Sequence, residues 1–174
     1  MNKFFFLDLE TTGLDAATCH ILEVAAVITD HKLNILEEYT TPIWAPPSTL
    51  QAMDDWCKTT HKNSGLLVDV AETSVTLAEA ELTLQKLKRK HFPVEKPAIS
   101  GSSVHFDKRF IDQHMPTFSK ELSHRIIDVS SFMGALSNYH NFIIESKREK
   151  PVHRAFPDII DSIGYLKGYL ERFK

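Results

Sequence analysis

Three segments near the N-terminus have the hydrophobic pattern of adjacent β-strands. Residues 3–10 open with apolar and aromatic residues, and residues 21–29 are apolar almost without interruption and rich in β-branched side chains, which is typical of a buried strand. Residues 34–44 are more polar and contain Pro42, which favours an edge position because proline has no backbone N–H to donate. A tight turn at residues 30–32 and the other short link predict an antiparallel meander of three strands.

After this meander, apolar residues recur at the spacing of amphipathic helices, and two short apolar runs lie between them. The predicted helices cover residues 50–61, 77–91, 104–114, 130–145 and the chain from 156 onward. The predicted strands cover residues 97–101 and 125–129. A meander followed by alternating helices and strands predicts an α/β fold, in which one mixed five-stranded sheet is flanked by helices.

Local signals mark the starts of three helices. Residues 76–79 match the capping-box pattern at the start of the second helix. Ser102 or Ser103 is predicted to cap the third helix. Pro157 is predicted to lie near the first position of the last helix, after a charged loop at residues 146–151.

Length and composition agree with one ordinary globular domain that covers residues 1–174. The chain has 174 residues, of which 43% are hydrophobic, and it contains no internal repeat or low-complexity tract. The net charge of −3 provides no large basic field for nucleic acid. That argues only weakly against a nucleic-acid substrate, because an enzyme that holds a short oligonucleotide through metal ions needs few lysines.

The cysteines and the N-terminal residues favour a cytoplasmic protein. Cys19 and Cys57 lack a CxxC spacing and form no zinc pattern, so we expect unreactive thiols in a reducing compartment. The apolar run at residues 4–7 is too short for a secretory signal, and Asp8 interrupts it. No apolar run approaches the roughly 20 residues of a membrane span.

Asp8 and Glu10 are the first candidates for chemistry. They lie two residues apart on the first predicted strand, so their side chains point to the same face. Two like charges on a core strand repel each other and are costly to desolvate. A bound divalent cation is the usual compensation for such a pair.

Three further residues complete a candidate metal site. Asp107 is predicted in the first turns of a helix, where an acidic residue is favourable on its own. His153 and Asp158 flank the start of the last helix, and their spacing alone is common. Together with Asp8 and Glu10 they provide four carboxylates and one histidine. Such a set suits two hard cations, Mg²⁺ or Mn²⁺, and the hydrolysis of a phosphodiester.

The order and spacing of these residues resemble one nuclease superfamily. The chain has D-x-E on its first strand, an Asp on a middle helix and H-x4-D at its last helix. This pattern resembles the histidine-bearing branch of the DEDD exonuclease superfamily, which has a ribonuclease H-like fold. The resemblance implies that Asp8, Glu10, Asp107 and Asp158 bind the metal ions. It also implies that His153 is the general base, a role that suits an imidazole of near-neutral pKa.

A narrower resemblance extends over nearly the whole chain. The segments that carry it are residues 33–36, 53–56, 61–66, 101–103, 109–110, 114–116 and 128–130. They resemble the oligoribonuclease family, whose members are homodimers that remove nucleotides 3′ to 5′ from very short RNA, above all dinucleotides. The resemblance implies that Leu14 and Trp56 pack against the two bases. It also implies that His61, Ser103 and Arg125 help to cap the 5′ phosphate.

Four positions differ from that family, with His124 in place of a tyrosine, Ser102 of an asparagine, Pro157 of an acidic residue and Thr11 of a methionine. None of them is an implied metal ligand. The difference at His124 touches the proposed cap and therefore concerns chain-length preference. The difference at Thr11 produces the D-L-E-T-T-G-L motif of proofreading exonucleases. An exonuclease on single-stranded DNA or longer oligonucleotides is therefore the alternative function, although residues 53–56 and 114–116 argue against it.

Other interpretations stay open for single residues and for the class of protein. Trp56 could be a core residue of its helix, His61 a surface loop residue, and Arg125 the partner of a neighbouring acid. A non-catalytic nucleotide-binding protein that kept the fold is a different class. Such proteins usually lack one of the metal ligands or the base, whereas all five residues are present here.

Overall fold

The computed structural model describes residues 3–140 and 153–171. Within these ranges the chain has five strands and eight helices. The predicted charged loop at residues 146–151 and the predicted helix end at residues 141–145 lie outside the described residues.

One mixed sheet organises the fold. Its strands are β1 (Lys3–Thr11), β2 (Ile21–Asp30), β3 (Ile35–Pro42), β4 (Ile99–Gly101) and β5 (Ile126–Asp128). Their order across the sheet is β3–β2–β1–β4–β5. The first three strands are antiparallel neighbours, whereas β4 runs parallel to β1 and β5 parallel to β4. The predicted α/β fold, a three-stranded meander followed by two further strands with helices around them, is therefore confirmed.

Eight helices surround this sheet in the described part of the chain. They are α1 (Pro47–Gln51), α2 (Asp55–Asn63), α3 (Leu66–Glu72), α4 (Leu77–His91), α5 (His105–His114), α6 (Pro116–Ser119), α7 (Val129–His140) and α8 (Ala155–Glu171). The short helices α3 and α6 were not predicted. Gly65 allows α3 to begin directly after α2, because its φ of 79° is a left-handed conformation that glycine adopts without a steric penalty.

The prediction of one helix over residues 50–61 is wrong. The structure has α1 and α2 there, separated at Asp54. The carboxylate of Asp54 accepts a hydrogen bond from the backbone N–H of Cys57 at 2.7 Å, which starts a new helix with Asp54 as its N-cap. An N-cap residue has extended backbone dihedral angles, so the earlier helix cannot continue through it.

The two predicted side-chain caps have opposite outcomes. The capping box of α4 is confirmed, because Thr76 and Glu79 each bond the other's backbone N–H. A serine cap on α5 is wrong, because Val104 is the N-cap and no side chain caps it. The backbone N–H of Ser103 instead donates to Asp128 Oδ1 and Ser130 Oγ, both at 3.1 Å, and so joins the end of β4 to the end of β5.

Both faces of the sheet are covered by helices. Phe5 belongs to a core cluster with α4 and α5, and Phe6 belongs to a second cluster with α8. Side chains alternate between faces along a strand, so Asp8 and Glu10 share the face of Phe6. Asp8 and Glu10 therefore lie on the side of the sheet that α8 covers.

Cys19 and Cys57 are free thiols, and burial raises the pKa of Cys57 to about 11, which makes it unreactive. Among the described residues, no helix is long and apolar enough to cross a bilayer.

Candidate active site

Asp8, Glu10 and Asp158 form a cluster of carboxylates where β1 meets the start of α8. Each residue offers one carboxylate oxygen, and these oxygens lie within 4.8 Å of one another. Asp8 and Glu10 share a face because they are two residues apart on a strand. Asp158 lies in the first turn of α8, the helix that packs on this face. The fold therefore brings Asp158 to two carboxylates that lie about 150 positions earlier in the sequence.

Asp107 is bonded to the backbone between Asp8 and Glu10. Its side chain is 4% exposed, and its Oδ1 accepts a hydrogen bond from the N–H of Leu9 at 2.9 Å. The strand β4 pairs with β1 at Phe5 and Phe6, and this pairing does not extend to Leu9. The edge of β1 near Leu9 therefore needs another acceptor, and α5 supplies it through Asp107.

These acids hold their protons more tightly than exposed carboxyls do. Burial, followed by the charges of Asp107, Glu10 and Asp158, raises the pKa of Asp8 well above its usual value. Burial, followed by the charge of Asp158, raises the pKa of Glu10 to about 8. Burial also raises the pKa of Asp107 to about 8, although the hydrogen bond from Leu9 opposes it. Without a cation, the cluster is therefore not fully ionised at neutral pH.

The donor set fits a hard divalent cation. Carboxylate oxygens at close spacing are the ligands that Mg²⁺ and Mn²⁺ prefer. The charge of Arg154 lowers the pKa of Glu10, but its guanidinium is bonded to the carboxylates of Glu23 and Asp69. Arg154 is thus shared with two other carboxylates, and a divalent cation would add positive charge next to Glu10.

The rings of His153 and Trp56 contact each other near the start of α8. Their ring centroids are 5.6 Å apart, and the ring planes meet edge to face at 81°. His153 lies two residues before the start of α8, and Trp56 lies in the first turn of α2 with 62% of its surface exposed. Trp56 is therefore not a core residue. The side chain of Leu14, after the end of β1, is 78% exposed and is available for contact with a ligand.

His61 is inside the protein, not on a surface loop. Its side chain is 2% exposed, and its Nε2 lies 2.8 Å from the carbonyl oxygen of Thr11. Its Nδ1 lies 3.9 Å from Glu10 Oε2, and burial lowers the pKa of the ring. His61 thus contacts the end of β1, whereas its contact with a substrate phosphate stays a prediction.

Ser103 lies at the same end of the parallel strands as the acids, whereas Arg125 lies at the opposite end. Ser103 follows β4, which runs parallel to β1, so its position is close to the level of Glu10. Arg125 precedes β5, and the register aligns the next residue with Ile99 and then with Phe5. Arg125 therefore lies about 20 Å from the level of Glu10 along the strand direction, at about 3.3 Å per residue. The exposed residue His124 adjoins it.

Sequence reasoning missed the pair of Glu23 and Arg154. Glu23 is 2% exposed in β2, directly opposite Glu10 in the antiparallel register. Arg154 follows His153 in the chain and donates two hydrogen bonds to Glu23 Oε1, at 3.0 and 2.6 Å. A signal for the pair was present, because Glu23 is the one acidic residue within the apolar run of residues 21–29. A buried carboxylate of this kind requires a partner.

Solved structures of exonucleases have the same fold. The zinc-bound E. coli exonuclease I complex with single-stranded DNA matches with a TM-score of 0.76 and 18% sequence identity, over 99% of this chain and 41% of that chain. Exonuclease I from Methylocaldum szegediense matches with a TM-score of 0.73 and 14% identity, also over 99% of this chain and 41% of that chain. The chain thus spans about two fifths of these proteins, and the likeness concerns the fold alone.

Sequence relatives are closer. The Exonuclease (RNase_T) family matches residues 5–165. The mitochondrial oligoribonuclease of Mus musculus is 41% identical over 97% of this chain and 72% of its own length. The oligoribonuclease of Azoarcus sp. (strain BH72) is 36% identical over 99% of this chain and 95% of its own length. With this identity over nearly the whole chain, and with the acidic cluster of an exonuclease at the end of β1, the chain belongs to the oligoribonuclease family of exonucleases.

Proposed function

We propose that this protein is a 3′–5′ exoribonuclease that degrades short oligoribonucleotides, above all dinucleotides, to mononucleotides. The observation that carries the proposal is the cluster of Asp8, Glu10 and Asp158, whose carboxylate oxygens lie within 4.8 Å of one another. The relatives named oligoribonuclease support the choice of short RNA as the substrate.

The proposed metal ligands are Asp8, Glu10, Asp107 and Asp158, which would hold two divalent cations, Mg²⁺ or Mn²⁺. When bound, such cations polarise the phosphate and stabilise the charge that develops on the attacking and leaving oxygens. The protein contributes the geometry: β1 and α8 bring three carboxylates together, and the Leu9 N–H holds the fourth. Burial of the cluster strengthens its electrostatic interactions.

His153 is the proposed general base. An imidazole nitrogen accepts a proton from water, and the water oxygen attacks the phosphorus of the terminal phosphodiester. The bond between phosphorus and the 3′ oxygen of the preceding nucleotide breaks, and that oxygen takes a proton from solvent. The products are a nucleoside 5′-monophosphate and a chain with a free 3′ hydroxyl.

Leu14 and Trp56 are the proposed contacts of the bases. Stacking of a base on an aromatic ring contributes about 1–3 kcal/mol and is largely independent of base identity. Trp56 lies edge to face with His153. A nucleobase stacked on Trp56 would therefore direct the adjoining phosphate toward the imidazole of His153 and the acidic cluster. Ser103 is the proposed phosphate contact from the same chain. The predicted phosphate contact of His61 would require its buried ring to leave the carbonyl oxygen of Thr11.

Arg125 requires a second copy of the chain for its proposed role at the 5′ phosphate. It lies about 20 Å along the strand direction from the level of its own Glu10, at about 3.3 Å per residue. A guanidinium cannot bridge that distance, so the Arg125 that caps the phosphate would come from the partner in a homodimer.

We further propose that residues 1–174 act as one exonuclease domain and that the protein works in the cytoplasm.

A comparison of substrates tests the proposed function. Initial rates are measured on an RNA dinucleotide, an RNA ten-mer and a DNA ten-mer, with Mn²⁺ and with EDTA. The proposal predicts metal-dependent turnover with the dinucleotide strongly preferred. A strong preference for the ten-mers would favour the proofreading-type alternative, and failure to hydrolyse any oligonucleotide with either Mg²⁺ or Mn²⁺ would favour a non-catalytic nucleotide-binding protein.

A further inference from the structure

A buried ion pair holds the residue that follows His153. Glu23 lies in β2 with 3% of its side chain exposed, and Arg154 donates to its Oε1 through Nη2 at 2.6 Å and through Nε at 3.0 Å. The other oxygen of Glu23 accepts the backbone N–H of Ala155 at 2.8 Å. The sheet is thus bonded to both residues that follow His153 in the chain.

The same guanidinium also reaches α3 and the turn before it. Nη2 of Arg154 lies 2.7 Å from Asp69 Oδ2, and Nη1 donates to the carbonyl oxygen of Ser64 at 3.3 Å. A planar guanidinium offers five N–H donors in a fixed arrangement, and here they bond β2, α3 and the end of α2 simultaneously. Because α2 carries Trp56, one side chain connects both elements that present the ring pair of Trp56 and His153.

The backbone of His153 needs such an anchor. Its φ is 51°, a left-handed conformation that residues other than glycine rarely adopt. A non-glycine residue persists in this conformation only where the surrounding structure determines it. The hydrogen bonds that Arg154 and Ala155 donate to Glu23 provide that determination on the C-terminal side of His153.

We propose that Arg154 and Glu23 are positioning residues that hold the imidazole of His153 in its catalytic place. The inference rests on the proposed role of His153 as general base and adds two residues that touch neither substrate nor metal. A buried ion pair is weak evidence for stability, because desolvation offsets most of the attraction. Its position beside a strained His153 indicates a geometric role instead.

Kinetics in two backgrounds test the proposal. Three substitutions are compared: Arg154→Met, Arg154→Lys and Glu23→Gln. Each is made in the otherwise unchanged protein and also together with His153→Ala. For every variant, kcat and KM are measured on an RNA dinucleotide. We expect Arg154→Met to lower kcat by about 10- to 100-fold, the range found when residues that orient metal-bound side chains are replaced, while KM stays within about twofold. Arg154→Lys retains a charge at the site and should recover part of the loss.

The expected signature is non-additivity. If Arg154 acts through His153, Arg154→Met costs nothing further once His153 is alanine. Equal losses in both backgrounds would overturn the inference and would indicate an effect on the acidic cluster. The double variant Glu23→Gln with Arg154→Met removes both buried charges, and it should lose no more kcat than the more impaired single variant. Arg89→Met is the matched control, because it breaks the exposed pair with Glu121 and should leave kcat unchanged.

Amide hydrogen exchange adds a measurement that does not depend on activity. The N–H of Ala155 is bonded to Glu23, so Arg154→Met should accelerate its exchange while amides at the centre of β1 and β2 stay protected. Unchanged exchange at Ala155 would overturn the inference even if kcat falls. If His153→Ala retains full kcat, the proposed role of His153 as general base fails. The exchange result then still decides whether the pair of Glu23 and Arg154 holds residues 153–155 in place.

Discussion

The carboxylate of Asp107 accepts a hydrogen bond from the backbone N–H of Leu9, 2.9 Å away, and this bond fixes an acid of α5 to the strand between Asp8 and Glu10. Asp107 therefore has two roles that can be separated. As an acceptor it satisfies a buried N–H, and as a charge it acts on its neighbours in the cluster.

Substitution of Asp107 separates these roles. Asp107→Asn keeps an acceptor for Leu9 and removes the charge, so we expect near-normal stability with greatly reduced metal-dependent turnover. Asp107→Ala leaves the Leu9 N–H without a partner, which costs about 1–3 kcal/mol of unfolding free energy. Urea unfolding with EDTA present measures the difference. Equal stability of the two variants would contradict the role of the hydrogen bond.

The raised pKa values predict how the metal-free protein responds to pH. Burial raises the pKa of Glu10 from 4.5, and that of Asp107 from 3.8, to about 8. A raised pKa means that the folded state binds the proton more tightly than the unfolded chain does. These groups therefore favour the folded state most at pH below their ordinary pKa values. Their contribution is lost as the pH rises toward about 8.

Thermal unfolding with EDTA should therefore show a Tm that falls from about pH 5 to about pH 8. Added Mg²⁺ or Mn²⁺ should raise the Tm more at about pH 8 than at about pH 5, because the cation binds the ionised carboxylates. Glu10→Gln removes one titrating group and should flatten the slope in EDTA. A Tm in EDTA that rises over this range would contradict the buried, metal-free cluster.

His153→Ala tests the general base. We expect kcat on an RNA dinucleotide to fall by about 10²- to 10⁴-fold at neutral pH, with a much smaller change in substrate affinity. His31→Ala, which removes an exposed histidine in the turn between β2 and β3, is the matched control and should leave kcat unchanged. Near-full activity of His153→Ala would rule out the base role.

Trp56 and Trp44 allow a matched comparison of two exposed tryptophans, with 62% and 51% of their surfaces accessible. Trp56→Ala should weaken dinucleotide binding by about 1–3 kcal/mol, the contribution of one stacked base, and should leave the Tm nearly unchanged because the ring is not in the core. Trp44→Ala should leave KM unchanged. KM values of the two variants on the same dinucleotide provide the test, and equal increases would contradict a stacking role for Trp56.

The acidic part of the site was predictable because its signals are local or carried by spacing. Asp8 and Glu10 share a strand face by period alone, and the positions of Asp107 and Asp158 near helix starts follow from the pattern of the flanking residues. The strands of the meander were predictable for the same reason. Residues 50–61 were not, because α1 ends at Gln51 and the carboxylate of Asp54 starts a new helix through a single hydrogen bond.

Relationships across the fold were harder to predict. The bond of His61 to Thr11 and the pair of Glu23 with Arg154 join positions 50 and 131 residues apart. No periodicity encodes such a contact, and only the register of the sheet aligns Glu23 with Glu10. The separation of Arg125 from its own acidic cluster likewise follows from the parallel pairing of β5 with β4, which the sequence pattern does not specify.

The carboxylate cluster at the end of β1 is the basis of the proposed hydrolysis. The decisive measurement is the initial rate of nucleoside 5′-monophosphate release from an RNA dinucleotide by the unsubstituted protein and by Asp158→Asn, with Mn²⁺ and with EDTA. We predict metal-dependent release by the unsubstituted protein and a loss of at least about 100-fold in Asp158→Asn, since metal ligation contributes several kcal/mol to transition-state stabilisation. Release that persists in EDTA, or that is unaffected in Asp158→Asn, would contradict the account.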